Sequence, residues 1–212
     1  MGSKIPMELD RLIGVFDAAL SHVDKWYASL LLKLTNGVLK FSNDLFLAIE
    51  LDALPASAWN ARNLLELWIW VKYCSTSPEN ARRFHEDALR DVRGLIDAHD
   101  SMCKHAGIAN TTGDEARKKL DELALEKLGI TSLDPAFERV SVSEAAKGVG
   151  LGDQFKAWNK HLSKFAHPTA GLVIGLMHQD DICPHIQSNC TTMGLYFCGQ
   201  CVIELRGCEA SL

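Results

Sequence analysis

The stretch Leu64-Leu65-Glu66-Leu67-Trp68-Ile69-Trp70-Val71 is apolar on every side of a helix except at Glu66. A helix that is hydrophobic all round is buried, so this stretch predicts the central helix of a soluble helical bundle. An ionised carboxylate inside such a helix is costly unless it is paired and hydrogen-bonded. Arg62 lies one turn earlier on the same face and is the obvious local partner for Glu66.

Two interpretations of Glu66 are open from the sequence. The functional one is a polar site inside the bundle, in which Glu66 serves as a base, a ligand or an orienting group. The structural one is an Arg62–Glu66 ion pair whose head groups reach solvent at the edge of the helix. If Glu66 is truly buried, Glu66→Ala should destabilise the protein by several kcal/mol, because it strands Arg62.

Helical spacing of apolar residues continues along the rest of the chain, and no segment shows convincing strand alternation. We therefore expect an all-α bundle of about six to seven helices. The N-terminal part predicts a long helix over residues 7–39, either continuous or broken near Ser21, which stops at Asn36-Gly37. Ser42 or Asn43 would cap the next helix. The other predicted helices cover residues 57–74, 114–128, 153–166 and 188–205, with one more starting at Pro78.

Size and charge limit the classes of function. A chain of 212 residues predicts a single helical-bundle domain over residues 1–212. Lys and Arg number 22 and Asp and Glu number 27, which gives a net charge of −5. This balance does not support a bulk electrostatic grip on nucleic acid, although a local basic patch would still allow nucleic-acid binding. Met1 to Met7 lacks the apolar core of a secretory signal, and the odd count of seven cysteines favours free thiols in a reducing cytosol.

The segment from Phe165 to Ile203 carries only two formal charges, Asp180 and Asp181. Polar residues interrupt it too often for a membrane span, so we expect no membrane insertion. It is better explained as a buried part of the bundle or as a face covered by a partner chain. We therefore expect a homodimer, or another homo-oligomer, with the last helix near the interface.

The C-terminal cysteines suggest either a metal or redox site or a packing surface. Cys198-Gly-Gln-Cys201 is a C-x-x-C motif, and Cys183 and Cys190 lie nearby. However, the spacing of three and four residues from Cys190 through Gly194 to Cys208 is that of one helical stripe of small side chains. We favour packing and expect neither a metal ion nor a cofactor.

Charged residues on the helix after Pro78 mix both signs on one face. Arg82, Arg83, Arg90 and Arg93 could contact phosphates, but acidic residues lie four positions away on the same face. Such pairing is typical of a solvated face that neutralises its own charge. The apolar positions from Ala81 to Leu95 predict the inner stripe of this helix.

The helix over residues 153–166 carries a second polar signal. Ser163 and His167 are four residues apart and lie on a different side from the apolar positions of this helix, with Lys160 and Lys164 flanking them. They predict either a hydroxyl–imidazole pair that faces a cleft or a surface histidine that closes a helix. We predict that Arg62, Glu66 and His167 lie around one cavity or cleft, with Ser163 or His161 beside it.

These two helices also carry a family resemblance. One block is Ala61-Arg-Asn-Leu-Leu-Glu66 with its apolar continuation and Ser77-Pro-Glu-Asn-Ala-Arg-Arg-Phe84; the other is Leu162-Ser-Lys-Phe-Ala-His-Pro-Thr169. Together they resemble a bacterial all-helical family of unknown function that has an early Arg-x3-Glu and a late Ser-x3-His. The resemblance covers roughly residues 45–180. It implies a cytosolic helical bundle with positions of interest at Arg62, Glu66, Ser163 and His167.

A looser similarity is to the HEPN ribonucleases, small helical dimers of defence and toxin systems whose motif is Arg, four to six residues, then His. Arg93-x5-His99 has this spacing. Near His167 the chain departs from the motif, because Lys160 stands where an arginine would be needed.

Three classes of function follow from these observations. The first is a self-associating interaction or regulatory module, and the second is a HEPN-like, metal-independent ribonuclease that uses His167 or His99. The third is a bundle that binds a small ligand or a metal ion around Glu66, with His161 and Lys160 as further candidate ligand-binding residues. We favour the first. The chain has no Glu-x-x-His, P-loop or G-x-S-x-G motif.

Overall fold

The regular elements of this protein are α-helices, which confirms the predicted all-α class. A computed structural model describes residues 4–21, 25–109, 113–128, 140–175 and 182–209, and no strand occurs in these ranges. The helices are α1 (Lys4–Ala19), α2 (Lys25–Glu50), α3 (Leu54–Thr76), α4 (Pro78–His105), α5 (Gly113–Leu128), α6 (Val142–Gly148), α7 (Gly152–Ala166), α8 (Ala170–Val173) and α9 (Cys183–Glu209).

The contacts between helices group the chain into two compact units. The larger unit comprises Met1–Ser77 and Ser141–Leu212, and the smaller one comprises Pro78–Val140. We call them the bundle unit and the α4–α5 unit. The single domain expected over residues 1–212 stays a prediction.

Helix α3 is the centre of the bundle unit, as its apolar sequence predicts. It packs against α2, α6, α7 and α9, and its contact with α9 is the largest. Leu64, Leu65 and Ile69 are fully buried. Pro55 stands in the first turn of α3, where its missing N–H costs nothing, so the helix begins earlier than the predicted residue 57.

Residue contacts define how the neighbours of α3 run. Trp59 meets His167 and Trp68 meets Trp158, so α7 is antiparallel to α3. Ser57 near the start of α3 is hydrogen-bonded to Gln187 of α9, and Lys72 near the end of α3 forms an ion pair with Glu204 near the end of α9. Helix α9 is therefore parallel to α3.

The N-terminal region divides near Ser21, as one of the two predicted alternatives has it, but the predicted stop at Asn36-Gly37 is wrong. Helix α2 continues through these residues to Glu50. Gly37 lies inside this helix opposite Leu67 of α3, and a Cβ added to it would lie 3.5 Å from Leu67 Cδ2, an ordinary van der Waals distance. Ser42 is not a cap either: its hydroxyl donates to the Val38 carbonyl at 2.6 Å and is buried.

Helix α9 confirms the packing interpretation of the cysteine stripe and is longer than the predicted 188–205. The inward face consists of small and apolar side chains that are buried: Cys190, Gly194, Cys198, Cys201, Leu205 and Cys208. Ser42 Oγ lies 2.9 Å from Cys198 Sγ. At Gly194 the helix comes so close to α2 and α3 that an added Cβ would lie 2.5 Å from Leu45 Cδ2 and 3.2 Å from Ala61 Cβ.

The α4–α5 unit is an antiparallel helix pair with a small core. Leu89, Leu120 and Ala124 are buried together, with Ile96 packed against them. The inner stripe predicted for α4 is wrong towards its C-terminal end, since Leu95 is exposed. The side of α4 that faces α5 is set by the contact between the two helices, which the periodicity of α4 alone does not reveal.

Charged side chains of this unit pair with one another, as the mixed face of α4 predicts. Arg82 pairs with Glu86 at 3.3 Å and Arg93 pairs with Asp121 of α5 at 3.0 Å. Arg90 departs from the prediction of a solvated face, because it is buried and pairs with Asp87 at 2.8 Å.

Helices α6 and α8 are additions to the elements expected from the sequence. The capping box of α6 is complete, with the Ser141 hydroxyl accepting from the Glu144 backbone N–H and the Glu144 carboxylate accepting from the Ser141 N–H. The irregular segment predicted from Asp134-Pro135 begins outside the described residues. Within the described ranges, no helix has both the length and the apolar character that crossing a membrane requires.

We predict that Gly194→Val destabilises the protein by about 2 kcal/mol, because the new side chain must displace Leu45 and the Ala61 segment in a packed core. Urea denaturation measures the change. Gly207→Ala on the same helix is the matched control, since its Cβ would meet nothing within 4 Å. The control should raise stability by about 0.5–1 kcal/mol. Equal effects of the two variants would contradict the close approach at Gly194.

Candidate functional site

The polar face of α7 is built by a four-residue spacing. Asn159, Ser163 and His167 lie one turn apart, so they share one side of the helix and its C-terminal end. The antiparallel packing of α7 on α3 brings this side to the polar edge of α3, where Trp59, Arg62 and Glu66 lie. We call Arg62, Glu66, Asn159, Ser163 and His167 the Arg62 cluster.

Arg62 is the centre of this cluster. Its Nη2 lies 3.1 Å from Glu66 Oε1, its Nε donates to Asn159 Oδ1 at 2.9 Å, and its Nη1 lies 2.9 Å from His167 Nε2. The guanidinium therefore joins two side chains of α7 to one of α3. The predicted convergence of Arg62, Glu66 and His167 is confirmed.

The contact with Arg62 specifies the tautomer of His167. A guanidinium group can only donate hydrogen bonds, so the imidazole must accept with the lone pair of Nε2. The tautomer that fits this contact carries its proton on Nδ1. Trp59 packs edge-on against this ring, with 6.0 Å between the ring centroids, and both side chains are exposed to solvent.

Glu66 is less buried than its sequence context predicts. Its side chain keeps 29% of its accessible surface and that of Arg62 keeps 25%, because both head groups lie at the edge of α3. Burial raises the pKa of Glu66, and the neighbouring Arg62 charge opposes this rise. The expected loss of several kcal/mol in Glu66→Ala is therefore too large, because Arg62 keeps contact with solvent, Asn159 and His167.

Asn159 belongs to the cluster although the sequence does not single it out. Its Oδ1 accepts from Arg62 and, at 3.5 Å, from the Ser163 hydroxyl. The only signal in the sequence is its spacing of four residues from Ser163. The role of an asparagine at such a position becomes evident only when the side chains of the opposing helix are known.

Two other candidates lie outside the cluster. His161 is two positions from Asn159 and so points to another side of α7, where it packs edge-on against Phe165 with 5.3 Å between ring centroids. Lys160 is exposed and lines a neighbouring pocket together with Asn159.

This neighbouring pocket, of about 540 Å³, lies between α6 and α7. We call it the lysine pocket, after Lys147, Lys156 and Lys160 in its wall. It touches the Arg62 cluster through Asn159. None of Arg62, Glu66 and His167 lines this pocket, so it is not the cavity predicted around those three residues.

Aromatic packing beneath the cluster holds α3, α7 and α9 together. Trp68 of α3 stacks on Phe197 of α9 with an interplanar angle of 19°, and Trp158 of α7 meets Phe197 at 5.3 Å between centroids. Tyr196 contacts the same rings. Because buried aromatic residues have few alternative packings, this group fixes the spacing of α3 and α7 under the polar side chains.

The cysteines are placed for packing and not for thiol chemistry. All seven are free thiols. Burial raises the pKa of Cys190 to about 11 and that of Cys201 well above its usual value, so neither is a ready thiolate. In the described residues, no three His, Cys, Asp or Glu side chains are arranged to hold a metal ion.

The second histidine proposed for a ribonuclease lies in the α4–α5 unit. His99 is exposed, and its ring nitrogens lie 3.8 and 3.9 Å from Cys103 Sγ. Arg93, which supplies the matching spacing, is held by Asp121 of α5. The other candidate histidine, His167, contacts Arg62 at 2.9 Å.

Comparison of the chain with protein-family models, with curated proteins and with solved structures finds no match.

The Arg62 cluster has hydrogen-bond donors left for a polar ligand. Arg62 has five N–H donors and uses three of them on cluster partners, and His167 keeps its Nδ1–H. The Glu66 charge balances the Arg62 charge. The arrangement is therefore a donor-rich, nearly neutral surface beside an exposed indole.

We predict that Glu66→Ala costs about 1 kcal/mol, because it removes a partly exposed ion pair and leaves one Arg62 donor to solvent. Glu66→Gln should stay within about 0.5 kcal/mol, since the amide oxygen can still accept from Arg62. The measurement is chemical denaturation. Asp44→Ala is the matched control, because Asp44 pairs with Lys40 at the same four-residue spacing but on a more exposed surface. A loss no larger than that of the control would contradict the part of Glu66 in a cluster.

Proposed function

We propose that this chain is a cytosolic helical regulatory module that binds a small ligand at the Arg62 cluster. The observation that carries the proposal is the contact of one arginine with Glu66, Asn159 and His167 from two helices. The seven free thiols support the cytosolic assignment, because such thiols persist in a reducing compartment.

The energetics of the cluster favour a function over mere stabilisation. Burial raises the pKa of Glu66, so the folded protein bears a desolvation cost to keep this carboxylate charged. A partly exposed ion pair stabilises the folded protein by only about 0–1 kcal/mol. Ionisable groups whose placement lowers the stability of the folded protein are common in binding and catalytic sites.

The chemistry of the cluster indicates the kind of ligand. The unused Arg62 N–H groups and the Nδ1–H of His167 are donors, so the ligand should present a carboxylate or another planar acceptor. Trp59 adjoins His167 and leaves part of its indole exposed, which suits a flat apolar body. An aromatic carboxylate has both features.

We predict that benzoate binds with a millimolar dissociation constant, worth about 4 kcal/mol at that affinity. Titration followed by NMR should shift the Trp59 indole N–H and the His167 ring resonances, with saturation. Arg62→Gln should abolish the shifts. Arg82→Gln is the matched control, because Arg82 also pairs with a glutamate four residues away and should leave binding unchanged. Shifts that do not saturate, or that survive in Arg62→Gln, would contradict the proposal.

Self-association is the second part of the proposal, and the outer face of α9 supports it. Ile203 keeps 59% of its accessible surface, and Tyr196, two turns earlier, keeps 48% although its ring also contacts Trp68 and Trp158. Gly199 lies between them, and its Cβ position has no neighbour within 4 Å. No charged residue occurs from Cys183 to Ile203, so a second copy could approach this face without burying a charge.

We predict that the protein sediments as a dimer at micromolar concentration and that Ile203→Glu converts it to a monomer. Leu95→Glu on α4 is the control, since Leu95 is also an exposed apolar side chain and should leave the dimer intact. A monomeric wild type, or equal effects of the two variants, would contradict the assignment of α9 to the interface.

A metal-independent ribonuclease is the alternative that one observation favours. The contact of His167 with Arg62 pairs an exposed imidazole with a group that can stabilise a phosphate. Cleavage of single-stranded RNA that resists EDTA, is lost in His167→Ala and persists in His99→Ala would establish this function in place of the non-enzymatic one. No cleavage is the result expected for a regulatory module.

A further inference from the structure

We propose that the lysine pocket between α6 and α7 binds the phosphate group of a small organic phosphate. The proposal extends the proposed function, because Asn159 belongs to both sites, but it depends on a separate set of cationic side chains. Four features of the pocket support it: its charge, its backbone, its amide donor and its size.

The charge of the pocket is unbalanced. Lys147 of α6 and Lys156 and Lys160 of α7 line it, against the single carboxylate of Asp153. No carboxylate in the described part of the chain forms an ion pair with any of these lysines. Elsewhere in the bundle unit, Lys72 is neutralised by Glu204 at 2.7 Å.

Three ammonium groups around one hollow repel one another and attract an anion. Lys156 and Lys160 are one turn apart on the same helix, a spacing at which like charges destabilise the helix. A bound dianion removes this repulsion. Lysine ammonium groups bind phosphate as mobile point charges, so they need no bidentate geometry to do so.

The backbone at the start of α7 brings Lys147 into the pocket. An added Cβ at Gly152 would lie 2.9 Å from Lys147 Cγ, so only a glycine lets this side chain lie across the first turn of α7. Lys147 and the two lysines of α7 therefore line one hollow although they come from different helices.

Asn159 adds a neutral donor whose orientation is known. Its Oδ1 accepts from Arg62 Nε at 2.9 Å, and because arginine can only donate, the amide cannot be flipped. The Nδ2 amide therefore has its two N–H groups on the other side, and no described side chain accepts from them. They can donate to an oxygen of a ligand in the lysine pocket.

The size of the pocket indicates that the ligand is more than a phosphate ion. A volume of about 540 Å³ lies within the range of small-molecule sites, roughly 300–1,000 Å³. Phe155 and the methylene chains of the lysines form apolar wall. A phosphate monoester with an organic body would use both the cationic and the apolar parts.

The test compares phenyl phosphate, inorganic phosphate and phenol by isothermal titration calorimetry with the full chain. We expect saturable binding of phenyl phosphate, at least fivefold weaker binding of inorganic phosphate, and none of phenol. Lys156→Ala/Lys160→Ala should weaken phenyl phosphate binding at least tenfold, about 1.4 kcal/mol. The matched control is Lys33→Ala/Lys118→Ala, which removes the same charge from exposed helix positions outside both proposed sites.

The outcomes separate this proposal from the proposed function. Phenyl phosphate binding that survives in Lys156→Ala/Lys160→Ala, or that falls equally in the control, overturns the lysine pocket as the site. Binding lost in Arg62→Gln but kept in the lysine variant also overturns it and assigns the anion to the Arg62 cluster. Loss of benzoate binding alone leaves the lysine pocket intact and refutes only the ligand assigned to the cluster. Circular dichroism and a thermal melt of each variant exclude misfolding as the cause.

Discussion

Burial of α3 on nearly all sides is the constraint on which the rest of the bundle unit depends. A helix with this apolar surface must be covered by several others, and α2, α6, α7 and α9 do so. The exception is the edge that carries Arg62 and Glu66, where the head groups stay partly in solvent. The same packing that hides the apolar side chains thereby determines where a polar site can form.

Close approach of helices is achieved in this bundle through small side chains. Gly194 and the buried cysteines let α9 lie directly against α2 and α3. This use of cysteine as a small apolar residue agrees with the raised pKa of the Cys190 and Cys198 thiols. The motif that looks most like chemistry in the sequence therefore serves packing.

Asn159 links the two candidate sites of the molecule. Its carbonyl oxygen accepts from Arg62, and the same residue lines the lysine pocket. A ligand that takes the amide protons would strengthen the acceptor character of the oxygen, since hydrogen bonds in a chain polarise one another. The cluster and the pocket are thus two ends of one polar network on α7, and the pairing of Arg62 with His167 is part of that network.

The sequence by itself determined the all-α class, the central place of α3 and the packing stripe of α9, because the periodicity of apolar residues acts locally. It also led to the expectation that Arg62, Glu66 and His167 meet, but the contact itself depends on which side of α7 faces α3. It could not show that Asn36-Gly37 lies within α2, since tertiary packing of the residues on either side can hold a helix through a glycine that would weaken it in isolation. It also could not reveal Asn159 or the lysine pocket. Their roles depend on which side of α7 faces α3 and α6, and that choice belongs to contacts between residues far apart in the chain, which only the tertiary structure decides.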